Sequence, residues 1–316
     1  PEVVVLTADL TNSCEVGKWR DTYPSRYFSM GMAEQNMLGV AAGMAREGFE
    51  PWLHTFAVFL YRRPLDQLQM SIAYPALKVR LVGFLPGIMT PGGVTHQAIE
   101  DLAIMRSIPN MTILEVGDAT EAESMLDVAH AIDGPVYIRQ LRGEVSRIFP
   151  KDEPMEFNKA RVLSQGEDIT LITSGIMTEE ALRAIPLIQE RGVSVQHLHV
   201  STIKPFDDPQ VIKAVTTAKK GVVTMENHTV VGGVGSAVAE LMAEHGSTAP
   251  LRRIGVRDTY AHGASQKYLM AELGLNADAL VSAVEELVGK SLEIDPDALA
   301  AARVVDVHSS AKAEAL

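Results

Sequence analysis

Residues 26–56 read RYFSMGMAEQNMLGVAAGMAREGFEPWLHTF. An aromatic run, Arg26–Ser29, is long enough for a strand. Glu34–Glu47 follows as a helix-forming segment dominated by Ala, Met, Leu and Gly, and Gly48 ends it. A second strand, Pro51–Thr55, comes next. A strand, a helix and a strand with short joins form one right-handed crossover of a parallel sheet. The same rhythm runs outward in both directions. Val3–Leu6 precedes the unit, and strands at Lys78–Gly83, Met111–Glu115 and Pro135–Arg139 follow it. Between them lie helical segments at Arg62–Ala73, Ala98–Ser107 and Thr120–Ile132. Alternation of this kind predicts an α/β fold, a mostly parallel sheet with helices on both faces.

Phe149–Lys159 breaks the rhythm with two prolines, several charges and no period, and reads as a linker. A second alternating set follows, with strands at Ile169–Thr173, Ser194–Val200, Gly221–Met225 and Leu251–Gly255. Its helices fall at Thr178–Arg191, Pro209–Thr217, Val234–Glu244 and Ala277–Leu287. The expected organisation is two domains, 1–150 and 160–290, and a tail, 291–316, that is rich in Ala and charge and reads as an exposed helix or a frayed end. The first strand begins almost at once, so natural residues are expected to precede Pro1.

The 316 residues are 47% hydrophobic and 22% charged, with a net charge of −12. That acidity disfavours non-specific binding to nucleic acid or to an anionic membrane. No run approaches the ~20 apolar residues of a membrane helix. One cysteine, Cys14, cannot build a disulfide framework or a Cys-based zinc site, and a cytoplasmic location is expected.

In open parallel sheets ligands sit beyond the carboxyl ends of the strands. The chemistry-bearing residues fall there. Glu34 opens a helix of small, apolar residues, with no Lys or Arg between Arg26 and Arg46 to neutralise it. Its position suits the positive helix end, but burial costs several kcal/mol unless a ligand or polar partner satisfies it. Simple capping is the alternative. Phe56 and Phe59, three apart at a strand-to-helix turn, share one face as core or as a stacking platform for a flat heteroaromatic ring. The glycine-rich loop Gly87–Gln97 ends at His96, read here as opening a helix, where the positive end favours a neutral imidazole. Arg139 at the end of the last strand of the first domain, with Arg142 and Arg147 after it, suits a phosphate or carboxylate, or a solvated basic surface. Gly232-Gly233-Val234-Gly235 reads as a tight turn rather than a phosphate cradle, and His228 before it is left undecided. No metal-ligand spacing and no Gly-x-Ser-x-Gly turn is present.

Taken together, Ala8-Asp9-Leu10, Gly31–Asn36, Thr55–Phe59, Gly92–Gln97, Ser107–Met111, Gly134–Arg139, Thr173-Ser174-Gly175 and Glu226-Asn227-His228 resemble the C-terminal half of a thiamine-diphosphate-dependent transketolase. The resemblance covers all but the tail. It implies a first domain that binds the aminopyrimidine ring and a second that is the family's C-terminal domain. The Gly-Asp-Gly motif that holds the diphosphate and its metal occurs nowhere in the chain. A split transketolase is thus implied: an N-terminal subunit would hold the diphosphate and Mg2+ or Ca2+, in an α2β2 assembly acting on sugar phosphates.

By the same likeness Glu34 hydrogen-bonds the ring nitrogen and promotes the imino tautomer, and Phe56 stacks on the ring with Phe59 behind it. Asp9 and Leu10 lie near the cofactor, His96 binds the ketose donor, and Arg139 binds substrate phosphate. The implied reaction is transfer of a two-carbon ketol unit from a ketose to an aldose. Gly92 stands where the family's common enzymes carry an Asp, and Phe84 where they carry a His. Both changes point to a different ketose phosphate, branched or deoxygenated. The competing readings are the β subunit of a 2-oxo acid dehydrogenase and a non-catalytic assembly module; deoxyxylulose phosphate synthase is close in style.

Overall fold

The structure is a computed structural model that describes residues 2–143, 145–302 and 304. Its first sheet is built from β1 (Val3–Thr7), β2 (Tyr27–Ser29), β3 (Glu50–Phe56), β4 (Arg80–Phe84), β5 (Thr112–Glu115) and β6 (Val136–Gln140). The helices between them are α1 (Gly17–Thr22), α2 (Glu34–Arg46), α3 (Ala57–Tyr61), α4 (Asp101–Ser107) and α5 (Ala119–Ala131). The second sheet takes β7 (Arg161–Ser164), β8 (Ile169–Thr173), β9 (Val195–His199), β11 (Gly221–Thr229) and β12 (Leu251–Val256). Around it lie α6 (Met177–Glu190), α7 (Pro209–Thr217), α8 (Val234–Glu244), α9 (Gln266–Glu272), α10 (Ala277–Val288) and α11 (Pro296–Ala301).

With β10 (Thr202–Lys204) included, the strand orders are β10-β5-β6-β4-β3-β1-β2 and β12-β11-β8-β9-β7. Each sheet is parallel except for one edge. β7 runs antiparallel to β9, and β10 leaves the second domain to pair antiparallel with β5 of the first. That exchange joins the two halves, and Ile172, Leu198, Val200 and Ile203 share one apolar cluster with Leu6, Leu53 and Leu81. Each such side chain buried contributes about 1.5–3 kcal/mol.

Local signals explain most boundaries. Asp118 caps α5 by accepting from Glu121 N at 2.8 Å, and Asp208 caps α7 ahead of Pro209. Asn276 opens α10, which ends at Gly289 in the left-handed conformation. Two expectations change. The helix expected over Arg62–Ala73 divides: α3 ends at Tyr61, and a π-helical turn, Gln67–Ala73, forms after Pro64, which has no N–H to give a continuous helix. The helix expected from Ala98 starts at Asp101, because Ala98 pairs with Pro86 and Gly87. Within the described part of the tail a short, mostly exposed helix forms, α11, which packs on α6 and α10 through the buried Leu299, and Leu292 is buried too; residues 303 and 305–316 of the expected tail lie outside the described residues.

Helix α2 buries only one side in this chain. Glu34, Met37, Leu38, Ala41 and Ala42 face the core, while Gln35, Asn36, Gly39 and Gly43 are exposed and Met32 just before it is 81% exposed.

Candidate functional site

The carboxyl ends of β1, β2 and β3 lie side by side, because β1 pairs with both neighbours. Glu34 follows β2 as the first residue of α2 and is only 4% exposed. Phe56 is the last residue of β3, and Phe59 lies on α3. Their rings stack with centroids 6.1 Å apart. The His96 ring meets both edge-on, at 6.2 Å from Phe56 and 5.5 Å from Phe59. Three distant parts of the sequence thus supply a carboxylate, an aromatic pair and an imidazole to one edge of the sheet. Asp9, exposed with φ of 61°, and Leu10, half-buried, lie on the rim after β1 rather than within the ring cluster.

Sequence reasoning missed the two arginines that bind this group together. Arg63 Nη1 donates to Glu34 Oε1 at 2.6 Å, and its guanidinium carbon lies 4.3 Å from the centre of the Phe59 ring. Arg62 donates to Val94 O at 2.8 Å, Gln97 O at 3.0 Å and Glu100 Oε1 at 2.7 Å, and so holds the loop that presents His96. Glu34 therefore has the polar partner its burial calls for, a cation supplied from outside the Arg26–Arg46 stretch. The usable signal was the pair Arg62-Arg63 directly after the aromatic segment.

His96 sits in a turn, five residues before α4, so no helix end acts on its imidazole. Its Nδ1 is 2.8 Å from Thr95 Oγ1. A Cβ on Gly92 would lie 3.0 Å from His96 Cβ and Cγ, so the absent side chain leaves room for the ring as it stands. The root of the loop is fixed by the second domain. Asn227 Oδ1 accepts from Ile88 N at 3.0 Å, and its Nδ2 donates to Pro86 O at 3.0 Å. A Cβ on Gly87 would come within 2.1 Å of Asn227 Oδ1, and φ there is 64°.

Arg139 does not join the site. It is fully buried and donates to Asp101 Oδ2 at 2.8 Å, to Glu115, and to Asn227 O at 2.9 Å. Tyr137 OH donates to the same Asp101 oxygen at 2.7 Å. A guanidinium committed in this way has no face for a substrate phosphate, so that expectation is withdrawn. Arg147 pairs with Glu123 and Thr120, and Arg142 is half-buried near Cys14.

The Gly232–Gly235 turn is internally filled. Glu226 accepts from Val234 N at 2.6 Å and Gly235 N at 2.9 Å, putting a carboxylate where a phosphate would otherwise sit. Burial pushes that carboxyl up to about 7. His228 faces Thr229 O with Nδ1 and Ala103 N with Nε2, a neutral arrangement that burial enforces by lowering its pKa to about 4.

The donor set fits a flat, hydrogen-bonding heteroaromatic ring. A buried carboxylate, two phenyl rings and an imidazole are brought to one edge of the sheet. No group of three or more His, Cys, Asp or Glu among the described residues could hold a metal ion. No helix among them is long and apolar enough to cross a membrane.

Comparison with known proteins places these features. Residues 1–147 match the family described as transketolase, pyrimidine binding domain, and residues 158–280 match transketolase, C-terminal domain. The chain is 41% identical over 287 residues to the 6-deoxy-6-sulfo-D-fructose transketolase subunit SqwH of Clostridium sp. (strain MSTE9), covering 90% of this chain and 88% of that protein. It is 36% identical over 291 residues to a putative transketolase C-terminal section of Methanocaldococcus jannaschii, covering 91% of each. It is also 33% identical to the 1-deoxy-D-xylulose-5-phosphate synthase of Symbiobacterium thermophilum, over 91% of this chain but 44% of that enzyme. Among solved structures, a split gene transketolase described as an inactive beta4 tetramer superposes with a TM-score of 0.83 at 38% identity, covering 92% of this chain and 93% of that one.

Proposed function

The chain belongs to the transketolase family, which generally uses thiamine diphosphate, and from that premise we propose that it is the ring-binding subunit of a split transketolase. It would transfer a two-carbon ketol unit from a ketose phosphate to an aldose phosphate. Residues 1–150 would bind the coenzyme ring, residues 160–290 would form the C-terminal domain, and an N-terminal subunit would hold the diphosphate with Mg2+ or Ca2+. An α2β2 assembly in the cytoplasm is the arrangement proposed. The buried Glu34 carboxylate, joined through Arg63 to the Phe56–Phe59 pair, is the observation that carries this reading.

Thiamine diphosphate, when bound, would supply nucleophilic chemistry at its thiazolium carbon. The work of this chain's residues follows from their chemistry. Glu34, buried at the start of α2, would hydrogen-bond a ring nitrogen and hold the ring by that contact. Phe56 and Phe59 would fix the ring by stacking. His96, on the edge of both rings, would hydrogen-bond a donor oxygen and hold or pass its proton. Asp9 and Leu10 would line the rim.

The name of the SqwH relative specifies 6-deoxy-6-sulfo-D-fructose, a ketose with an anionic group at its end. Gly92 and Phe84, small and apolar, support a donor that departs from the common sugars in this chain as well. The split gene transketolase is described as inactive as a β4 tetramer, which supports a requirement for a second subunit here.

The test is reconstitution. The chain is combined with a subunit carrying Gly-Asp-Gly, and the assembled enzyme is offered a ketose phosphate or pyruvate in turn. Ketol transfer is expected from the ketose phosphate, and Glu34→Ala should abolish it in a folded assembly. Turnover of pyruvate alone would point to the 2-oxo acid dehydrogenase reading. Full activity of Glu34→Ala would remove the carboxylate from the mechanism, and thiamine diphosphate failing to bind with the partner present would leave an assembly module.

A further inference from the structure

Two contacts of Arg63 bear on how a ring enters the site. Its guanidinium gives an N–H to Glu34 Oε1 at 2.6 Å and lies on Phe59 at 4.3 Å. A planar group that donates to Glu34 and rests on an aromatic ring has the recognition features of an aminopyrimidine. Charge assistance strengthens the first contact and the ring quadrupole the second. The partners differ in freedom: the Glu34 side chain is 4% exposed and that of Arg63 is 50% exposed. Glu34 is fixed at the start of α2, and Arg62 is anchored to Val94, Gln97 and Glu100. The Arg63 side chain is thus the member able to leave, pivoting beside a fixed neighbour.

We propose that Arg63 is a built-in competitor for the coenzyme ring, occupying the Glu34 carboxylate that the ring must use while resting on Phe59, the ring behind Phe56. The inference rests on the ring-site reading above and deepens it. A ring reaches Glu34 only by displacing the guanidinium, and its apparent affinity is reduced by the fraction of molecules in which Arg63 is in place. Arg63 thereby sets a threshold that a ligand must cross to reach Glu34.

The experiment uses the full chain and the hydroxymethyl aminopyrimidine that forms one half of thiamine, which needs no diphosphate site. Binding is measured by calorimetry for the unsubstituted chain, Arg63→Ala and Arg63→Gln. Both variants should bind about tenfold more tightly, a change of about 1.4 kcal/mol. Added salt should tighten binding to the unsubstituted chain and not to the variants, because it screens a half-exposed ion pair. Ethylguanidinium added to Arg63→Ala should weaken ring binding again, and Glu34→Gln in the Arg63→Ala background should remove the gain. Binding to both variants that is equal to or weaker than that of the unsubstituted chain overturns the competitor role while leaving the ring site standing. Absence of binding in all three proteins overturns both.

Discussion

Arg139 Nη2 donates to the backbone oxygen of Asn227 across 2.9 Å, tying β6, the last strand of the first domain, to the longest strand of the second sheet. Asn227 in turn holds the loop that leads to His96 through Ile88 and Pro86. The buried arginine therefore acts on the site from behind, as a brace between domains.

Replacing Arg139 should show this in stability rather than in substrate affinity. Removing one member of a buried charge cluster leaves Asp101 and Glu115 uncompensated, which costs about 3–5 kcal/mol. Arg139→Met is expected to lower the denaturation midpoint sharply in chemical unfolding. KM for the sugar phosphate, measured on the assembled enzyme at low temperature, should stay within a few-fold of the unsubstituted value. A large rise in KM with undiminished stability would return Arg139 to the substrate.

The histidines predict an acid limit. Burial lowers His54 to about 4, His197 to about 3 and His228 to about 4. In the unfolded chain each titrates near 6.5. Below that value the unfolded state takes protons that the folded state refuses, so stability falls with pH through the window from 6.5 toward 4. Each such histidine contributes a slope of about 1.4 kcal/mol per pH unit. Glu226, raised to about 7, opposes one of them, because the folded state takes up its proton before the unfolded state does. Unfolding free energies measured at several pH values should show a net loss on acidification, and His228→Gln should reduce the slope by about one proton.

Much of this was legible in the sequence, and the failures have physical causes. The alternation of strands and helices is a local signal, and α7 and α8 start and end where the caps and periods place them. β7 and β10 are too short to show a period, and the partner of Thr202 is Leu114, far away in the chain. Glu34, Phe56, Phe59 and His96 were readable as a group. The partner of Glu34 was not, because Arg63 lies 29 residues on, in another element. Arg139 was misplaced for a similar reason: a strand-end arginine looks the same in sequence whether it meets solvent or carboxylates supplied by Asp101 and Glu115.

Arg62 offers a test of loop positioning without touching the rings. Arg62→Ala removes its donors to Val94, Gln97 and Glu100. Loss of alignment of a catalytic group commonly costs up to about 100-fold in rate. A fall in kcat of roughly that size is expected, with ring binding measured by calorimetry unchanged. Arg62→Lys should recover only a small part, since an ammonium cannot reproduce the planar fork. Equal losses of ring binding and turnover would instead indicate general disruption.

Gly92 carries the sharpest steric prediction. A Cβ there meets His96 Cβ and Cγ at 3.0 Å and Nδ1 at 3.2 Å, closer than ordinary packing allows. Gly92 is not among the glycines with positive φ, so backbone strain adds nothing and the effect of Gly92→Ala isolates the contact. The His96 ring should shift away from its place on Phe56 and Phe59, since the loop around it is held by Arg62 and Gln97. A displacement of a few tenths of an ångström at a group that handles a donor oxygen is expected to lower kcat/KM about tenfold, with ring affinity and stability nearly unchanged. Unchanged kcat/KM in Gly92→Ala would mean that His96 does not act on the substrate from the position it holds here.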